Sequence, residues 1–265
     1  MGHPEINNKT PFAFEPVFLA DEEGRPLLVP VIKATYSIEN NCRLLPAEEQ
    51  VPVNLAGEYW GDPDKSSYKY EPECAFIKPA TDIVLIGHAY TPTSETTEVN
   101  VTLRVGQIEK SVRVIGDRYW VKALGIISMT KPEEFERIPL IYERAFGGWD
   151  RTHSNPAQHA FEPRNPVGTG FRSKNGNFEQ GIRLPNIEDL RYPVKSYGET
   201  SLPAGFGFTS PNWQPRASLA GTYDDAWTKL RMPLLPKDFD RRFLNGASPG
   251  LTAPGFLKGN EHKFA

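Results

Sequence analysis

Breakers of regular structure run through this chain from end to end. Its 22 glycines and 25 prolines together stand well above the roughly 12% that these two residues average. Proline removes a helical donor and clashes with the preceding turn, and glycine weakens a helix through backbone entropy. A bundle of long helices is therefore excluded. What the breakers leave open is a set of short strands joined by ordered loops.

The strongest periodicity lies between two such breaks. Val99, Val101, Leu103 and Val105 alternate with Glu98, Asn100, Thr102 and Arg104, the pattern of a half-buried antiparallel strand. Gly106-Gln107 suits a two-residue II′ turn, after which Ile108, Lys110, Val112 and Val114 alternate back. Gly116-Asp117 turns again into Tyr119-Trp120-Val121, and Asp82 to Tyr90 supplies an earlier strand, so a meander is expected. Nearer the start, Phe12, Phe14 and Phe18 share one face of an alternating run. Asp21 to Gly24 makes a turn, and Leu27 to Ile38 is the returning strand of a hairpin. Pro16 and Pro30 assign these strands to a sheet edge or to bulges, because proline cannot donate to a ladder. Residues 40 to 80 read as irregular, with Tyr59-Trp60-Gly61-Asp62-Pro63 as a ring-bearing turn.

The second half is punctuated differently. Asn155-Pro156, Asn165-Pro166-Val167-Gly168-Thr169-Gly170-Phe171 and Leu184-Pro185-Asn186 are turn-forming clusters. Interleaved Phe146, Trp149, Phe161 and Phe171 argue for order, since disordered segments are poor in aromatics. One short helix is expected where Thr222 stands as N-cap with Asp225 three residues on, as in a capping box, and Tyr223, Trp227 and Leu230 share a face. A further helical turn after Pro236 would bring Phe239 and Phe243 together. The stretch from Leu202 to Asn245 thus reads as a clamp, with Trp227 in its core, that locks the loops of 145–200 against the N-terminal sheet. The expected architecture is a single, mainly β domain. An antiparallel β-sandwich or curled sheet spans about residues 1–135, and a loop-rich half with one or two short helices, about 136–265, packs on it.

Lys plus Arg total 30 and Asp plus Glu 33, a formal net charge of -3, so no basic excess marks a nucleic-acid or anionic-membrane partner. No apolar run approaches the ~20 residues of a membrane helix, and the first residues carry neither the basic nor the apolar region of a secretory leader. Cys42 and Cys74 stand outside any CxxC or CxxH spacing, and the expected setting is a reducing cytoplasm.

Asp224, Asp225, Asp238 and Asp240 are the one acidic cluster to weigh as an active site. Paired carboxylates can run glycoside hydrolysis or hold a divalent metal. Asp225 has a capping role, however, and Asp238 and Asp240 can pair with Arg241, Arg242 or a helix start. Thr222, Asp225, Trp227, Asp238 and Asp240 are accordingly expected to be structural. His153 and His159 lack helical zinc spacing, and no HExxH, nucleophile elbow, Walker A loop or dinucleotide motif occurs. No catalytic residue, metal site or cofactor is indicated. Arg144 beside Glu143 suggests an Arg–Glu pair pinning loops. The candidates for contact with a partner are Tyr142, Arg144, Trp149, Phe171, Trp213 and Arg216, mostly of the residue types that dominate interface energy.

A series of short motifs then follows in order. Val31-Ile-Lys-Ala-Thr-Tyr36, Tyr59-Trp-Gly-Asp-Pro63, Ile77-Lys-Pro-Ala-Thr-Asp82 and Gly87-His-Ala-Tyr-Thr-Pro92 lead into Gly116-Asp-Arg-Tyr-Trp120 and Tyr142-Glu-Arg-Ala-Phe-Gly-Gly148. The second half adds Asn165-Pro-Val-Gly168, Leu184-Pro-Asn-Ile-Glu188, Ala220-Gly-Thr-Tyr-Asp224 and Pro236-Lys-Asp-Phe-Asp240. The ordered set resembles a family of uncharacterised-domain proteins of Gram-negative bacteria, accessory to the type VI secretion system. The resemblance implies a non-enzymatic cytoplasmic adaptor or chaperone. Its partners would be a secreted effector and the VgrG spike or its PAAR-type tip. A carbohydrate-active hydrolase using Asp224 or Asp238, or a structural component of the secreted spike, are the alternatives. Thr169 departs from the family pattern, which often places a basic residue there, and the sequence drifts from that pattern after Asn245.

Overall fold

A computed structural model describes residues 6–172, 178 and 181–254. Strands make up most of its regular structure, gathered into small sheets of two or three strands and joined by ordered loops, with short helical turns in the second half.

The N-terminal hairpin forms where the alternation placed it. Strand β1 (Ala13–Ala20) pairs antiparallel with β2 (Pro26–Lys33), and Pro16 lies directly opposite Pro30. Neither residue can donate, so this pair sits where the backbone groups point away from the partner strand and no ladder bond is lost. A second ribbon, β3 (Tyr36–Ile38) with β4 (Leu44–Pro46), follows directly. Burial along the phenylalanine face is mixed, with Phe12 and Phe14 half-buried and Phe18 exposed. Val17, Leu19, Leu27, Val29 and Val31 are half-buried, whereas Phe18, Leu28 and Ile32 on the opposite face are exposed.

The hairpin of Glu98–Val105 with Ile108–Ile115 has Val105 opposite Ile108 and Gly106 at φ +57°, as a II′ turn requires. The meander stops there. The next neighbour of Ile108–Ile115 is Ile187–Asp189, from the Leu-Pro-Asn-Ile-Glu motif. Tyr119–Ala123 pairs instead with Ile126–Met129 and Ile182–Arg183. Gly116 marks the break: a Cβ there would stand 1.7 Å from the Glu133 carbonyl oxygen, so the chain is pinned beneath residue 133 as it leaves the sheet.

The core draws on both halves. Val112, Val114, Ile138, Ile187, Phe206 and Leu251 pack together with Tyr142 and Trp213, and a smaller cluster holds Trp120, Ile182 and Leu184. Among the described residues, no buried hydrophobic side chain precedes Ala89. Loops without periodicity therefore carry much of the apolar burial. Ala247, Ser248 and Leu251 are buried as well.

The stretch from Leu202 to Asn245 divides in two. Phe206 and Trp213 are core, but helix α1 (Asp225–Leu230) buries none of its residues, and Leu230 is 86% exposed. Asp224, not Thr222, caps the helix, its carboxylate accepting the Trp227 N–H at 2.7 Å. Thr222 donates its N–H and hydroxyl to Asp238 instead, and Asp225 is left in the first helical turn with no capping-box bond. Trp227 is half-buried, packs edge-on against Tyr223 and donates its indole N–H to the Leu234 carbonyl. The first part of the stretch meets the loops of 145–200, Phe206 and Trp213 packing with Ala145 and Ile187 and the Gln214 N–H donating to the Pro163 carbonyl, while the part around α1 is placed elsewhere. It props the tip of the β1–β2 hairpin, where Arg231 holds Glu23 and Arg241 holds Glu22. Asp240 caps the turn Arg241–Leu244 and pairs with Arg242, while Phe239 and Phe243 meet with ring centroids 5.7 Å apart.

Among the described residues, the most deeply enclosed ion pair is Arg118 with Glu188. Burial pushes the Glu188 carboxyl up, and the guanidinium only partly opposes it. Arg118→Ala should cost about 3–5 kcal/mol by leaving that carboxyl unpaired, and Arg118→Met with Glu188→Leu should recover most of it, as read by urea unfolding.

Lys110 is half-buried, donating to the Ser248 hydroxyl at 2.6 Å and to the Pro249 carbonyl at 2.9 Å. Burial pushes its pKa down to about 8. Ser248 also accepts from the Tyr142 hydroxyl at 2.7 Å, whose pKa burial pushes up to about 12. An unfolded lysine keeps its proton to ~10.4. Between pH 8 and 10 the unfolded state therefore binds more protons through Lys110, and stability rises with pH. Above ~10 Tyr142 acts in the opposite sense, because the folded state retains a proton that the unfolded tyrosine loses. Lys110→Met should remove the rise between pH 8 and 10 in a series of urea midpoints.

Candidate functional site

Three motifs distant in sequence meet at one place: Tyr142–Gly148, Asn165–Phe171 and Leu184–Glu188. Asn165, fully buried, donates its amide to the carbonyls of Tyr142 and Phe146 at 2.8 and 3.0 Å. The backbone then closes on itself, Gly148 N–H to Asn165, Thr169 N–H to Ala145, and Phe171 N–H to Gly147. Gly147 adopts φ +153°, and a Cβ there would stand 2.1 Å from the Asn165 carbonyl, so only glycine admits this approach. Asn186 performs the same service for the third motif. Its side chain donates to Ile115 and Asp117 and accepts from Arg144 at 3.1 Å.

Arg144 lies 3.6 Å from Asp117 and is not paired with Glu143, which instead accepts the N–H and hydroxyl of Ser67 at 2.6 and 2.8 Å. Burial works to raise the Asp117 pKa, but hydrogen bonds from Asn186 and Arg183, with Arg144 close by, hold it below the usual carboxylate range. Thr169 spends its hydroxyl on the Glu143 carbonyl at 2.8 Å.

Directly on this frame stands an exposed aromatic pair. Trp149 and Phe161 face each other across a two-residue ribbon and stack with centroids 4.4 Å apart, at 38% and 41% exposure. The Arg151 guanidinium lies 4.9 Å from the indole centre. Beside them opens a cleft of about 480 Å³ lined by Gly148, Trp149, Val167 and Gly168, with Lys65, Arg151 and Arg172 set against Asp64. Arg172 is braced on the carbonyls of Trp149 and Phe171. Such a platform suits an apolar or aromatic side chain flanked by carboxylates.

The other candidates for partner contact lie elsewhere. Tyr142 and Trp213 are buried against each other, edge to face at 5.4 Å. Arg216 is buried, 2.5 Å from Glu71, and donates to the carbonyls of Thr209 and Phe243. These three are part of the interior and cannot meet a partner. Arg144 and Phe171 are half-buried beneath the platform. Phe161 and Arg151 were not legible as site residues, because a two-residue strand leaves no periodicity to read.

Asp224 and Asp238 both border a separate cleft of about 490 Å³ beside α1. Asp224 is committed to the helix cap. Asp238 accepts two hydrogen bonds from Thr222, which hold its pKa below the carboxylate range, opposite to what a proton-donating acid needs. His159 and His153 tie their own loop together, His159 Nε2 lying 2.9 Å from the His153 carbonyl. Among the described residues, no group of His, Cys, Asp and Glu is placed to hold a metal ion. Neither cysteine is buried.

The model of a family described as an uncharacterized protein conserved in bacteria (DUF2169) matches residues 23–263. The chain belongs to that family. The matched span holds the aromatic platform, the junction beneath it and all of β2, while β1 precedes it. No curated protein and no solved structure matches this DUF2169 chain. None of its described helices is long and apolar enough to cross a membrane.

The two tryptophans of this region should respond differently to truncation. Trp213→Ala should cost about 3–5 kcal/mol through a core cavity, whereas Trp149→Ala should cost about 1 kcal/mol or less as a partly exposed side chain. Urea unfolding of the two variants checks this.

Proposed function

We propose that this DUF2169 protein is a non-enzymatic adaptor that binds a type VI secretion effector and helps load it onto the VgrG spike or its PAAR-type tip. Type VI secretion enters through the motif resemblance. Protein binding rests on one observation, the exposed Trp149–Phe161 stack with Arg151 upon it. Tryptophan and arginine are the residues most often found where binding energy concentrates. The frame beneath is closed by buried hydrogen bonds, so little ordering cost remains to be met on association. Lys65, Arg151 and Arg172 around the cleft favour an acidic partner and make its capture dependent on salt. The acids that could have run hydrolysis are engaged in capping and pairing, which lends the binding role further support.

The test is co-purification with the effector encoded beside this protein's gene. Trp149→Ala with Phe161→Ala should weaken capture on the order of 30-fold or more, equivalent to ~2 kcal/mol, with the unfolding midpoint nearly unchanged. Deleting the gene should abolish secretion of that effector. Secretion that continues unchanged would sink the proposal, and so would capture indifferent to both substitutions.

A further inference from the structure

The cations around the platform cleft are of two kinds. Lys65 is paired with Asp62 at 3.3 Å and has Asp64 as its sequence neighbour, so that loop is balanced in charge. Arg151 and Arg172 are engaged by neutral groups instead, the Trp149 ring for one and the carbonyls of Trp149 and Phe171 for the other. Among the described residues neither forms an ion pair. Asp150, the acid between Trp149 and Arg151, is buried and accepts the N–H and hydroxyl of Thr152. A guanidinium held by neutral groups keeps its full charge for an incoming anion, and its planar fork matches a carboxylate.

The same cleft has an apolar wall. Trp149 and Phe161 stack there, each somewhat over a third exposed, and Pro166 and Val167 continue the lining. Ring, aliphatic side chain and guanidinium thus border one hollow of about 480 Å³. That is within the ~300–1,000 Å³ of clefts that enclose small ligands. Three residues of extended chain, at ~3.3 Å each, span roughly 10 Å and suit a hollow of this size. A folded partner in a stable complex covers ~800 Å² of each surface, and its convex face would meet the rim without filling the hollow.

The walls are already fixed. Asn155 accepts the Ala157 N–H and His159 Nε2 meets the His153 carbonyl, which ties the loop between the two stacked rings, and Asn165 closes the frame below. The ordering cost of association then falls on a flexible segment of the partner.

We propose that this cleft captures a short extended segment in which an aromatic or large aliphatic residue is flanked by aspartate or glutamate. The apolar side chain packs on Trp149 and Phe161, and the carboxylates pair with Arg151 and Arg172. The inference rests on the reading of the platform as a protein-binding site and adds that the element recognised is linear sequence, not a folded surface. Segments with basic flanks are rejected by like charge.

Fluorescence anisotropy of labelled heptapeptides with the full chain tests it. The first peptide carries one phenylalanine between two aspartates, the second the same phenylalanine between two lysines, and the third a glycine between two aspartates. The first should bind at low salt and weaken as salt is added, and the other two should bind about tenfold more weakly or worse. Trp149→Ala with Phe161→Ala should abolish binding of the first. Arg151→Glu should weaken the aspartate peptide and strengthen the lysine peptide, an exchange of preference that a damaged fold would not produce. Equal binding of the acidic and basic peptides would overturn the proposal. So would an acidic peptide that does not bind. If the effector is still captured through Trp149 and Phe161 in that case, the adaptor reading stands without a linear segment. An acidic peptide bound through Arg151, with effector capture indifferent to both ring substitutions, supports the cleft and refutes the adaptor reading alone.

Discussion

Two buried amide side chains, Asn165 and Asn186, close a backbone that secondary structure leaves open. Chains this rich in glycine and proline form few long ladders, and their loop carbonyls and N–H groups need partners when they pass through the interior. Asn165 supplies donors to Tyr142 and Phe146, and Asn186 bridges Ile115, Asp117 and Arg144. Asn165 spends both amide protons on backbone carbonyls, whereas Asn186 bonds one backbone carbonyl and two side chains. Around them the loops of the second half become as well determined as strands, and Ala204, Phe206, Ala247 and Leu251 can be buried without periodicity.

This organisation explains what the sequence could and could not reveal. The Glu98–Ile115 hairpin was legible because alternation and a glycine turn agree, and a local register followed from both. The proline-bearing N-terminal hairpin was legible for the same reason. How deeply each side is buried was not, because apolar residues occupy both faces and Phe14 and Val17, on opposite sides, are both half-buried. The neighbour of Ile108–Ile115 was hidden too. Local pattern favours the next strand along, whereas Ile187–Asp189 reaches that edge only after Asn186 has fixed its approach.

Among the candidate residues, Trp149 reaches the surface, while Tyr142, Trp213 and Arg216 lie in the interior. Tyr142, Trp213 and Arg216 carry the features of interface anchors, yet the same features serve a packed interior: an edge-to-face pair, and a guanidinium shared by Glu71 and two carbonyls. Trp149 differs only in that its strand ends at the surface beside Gly148. Capping was misjudged by two residues, since Thr222 and Asp224 are both good caps and the bond from Thr222 to Asp238 removes it from the competition. The molecule that results carries its exposed aromatic platform on loops that buried hydrogen bonds close.

The central claim is that loops closed by buried amides form the rigid part of this protein. Amide hydrogen exchange measures it most directly. The N–H groups of Gly148, Thr169, Phe171 and Asn186 should exchange as slowly as those of Val112 and Val114 in the central hairpin, with protection approaching that of global unfolding. Exchange of those four at the rate of exposed turns, while the hairpin stays protected, would contradict it.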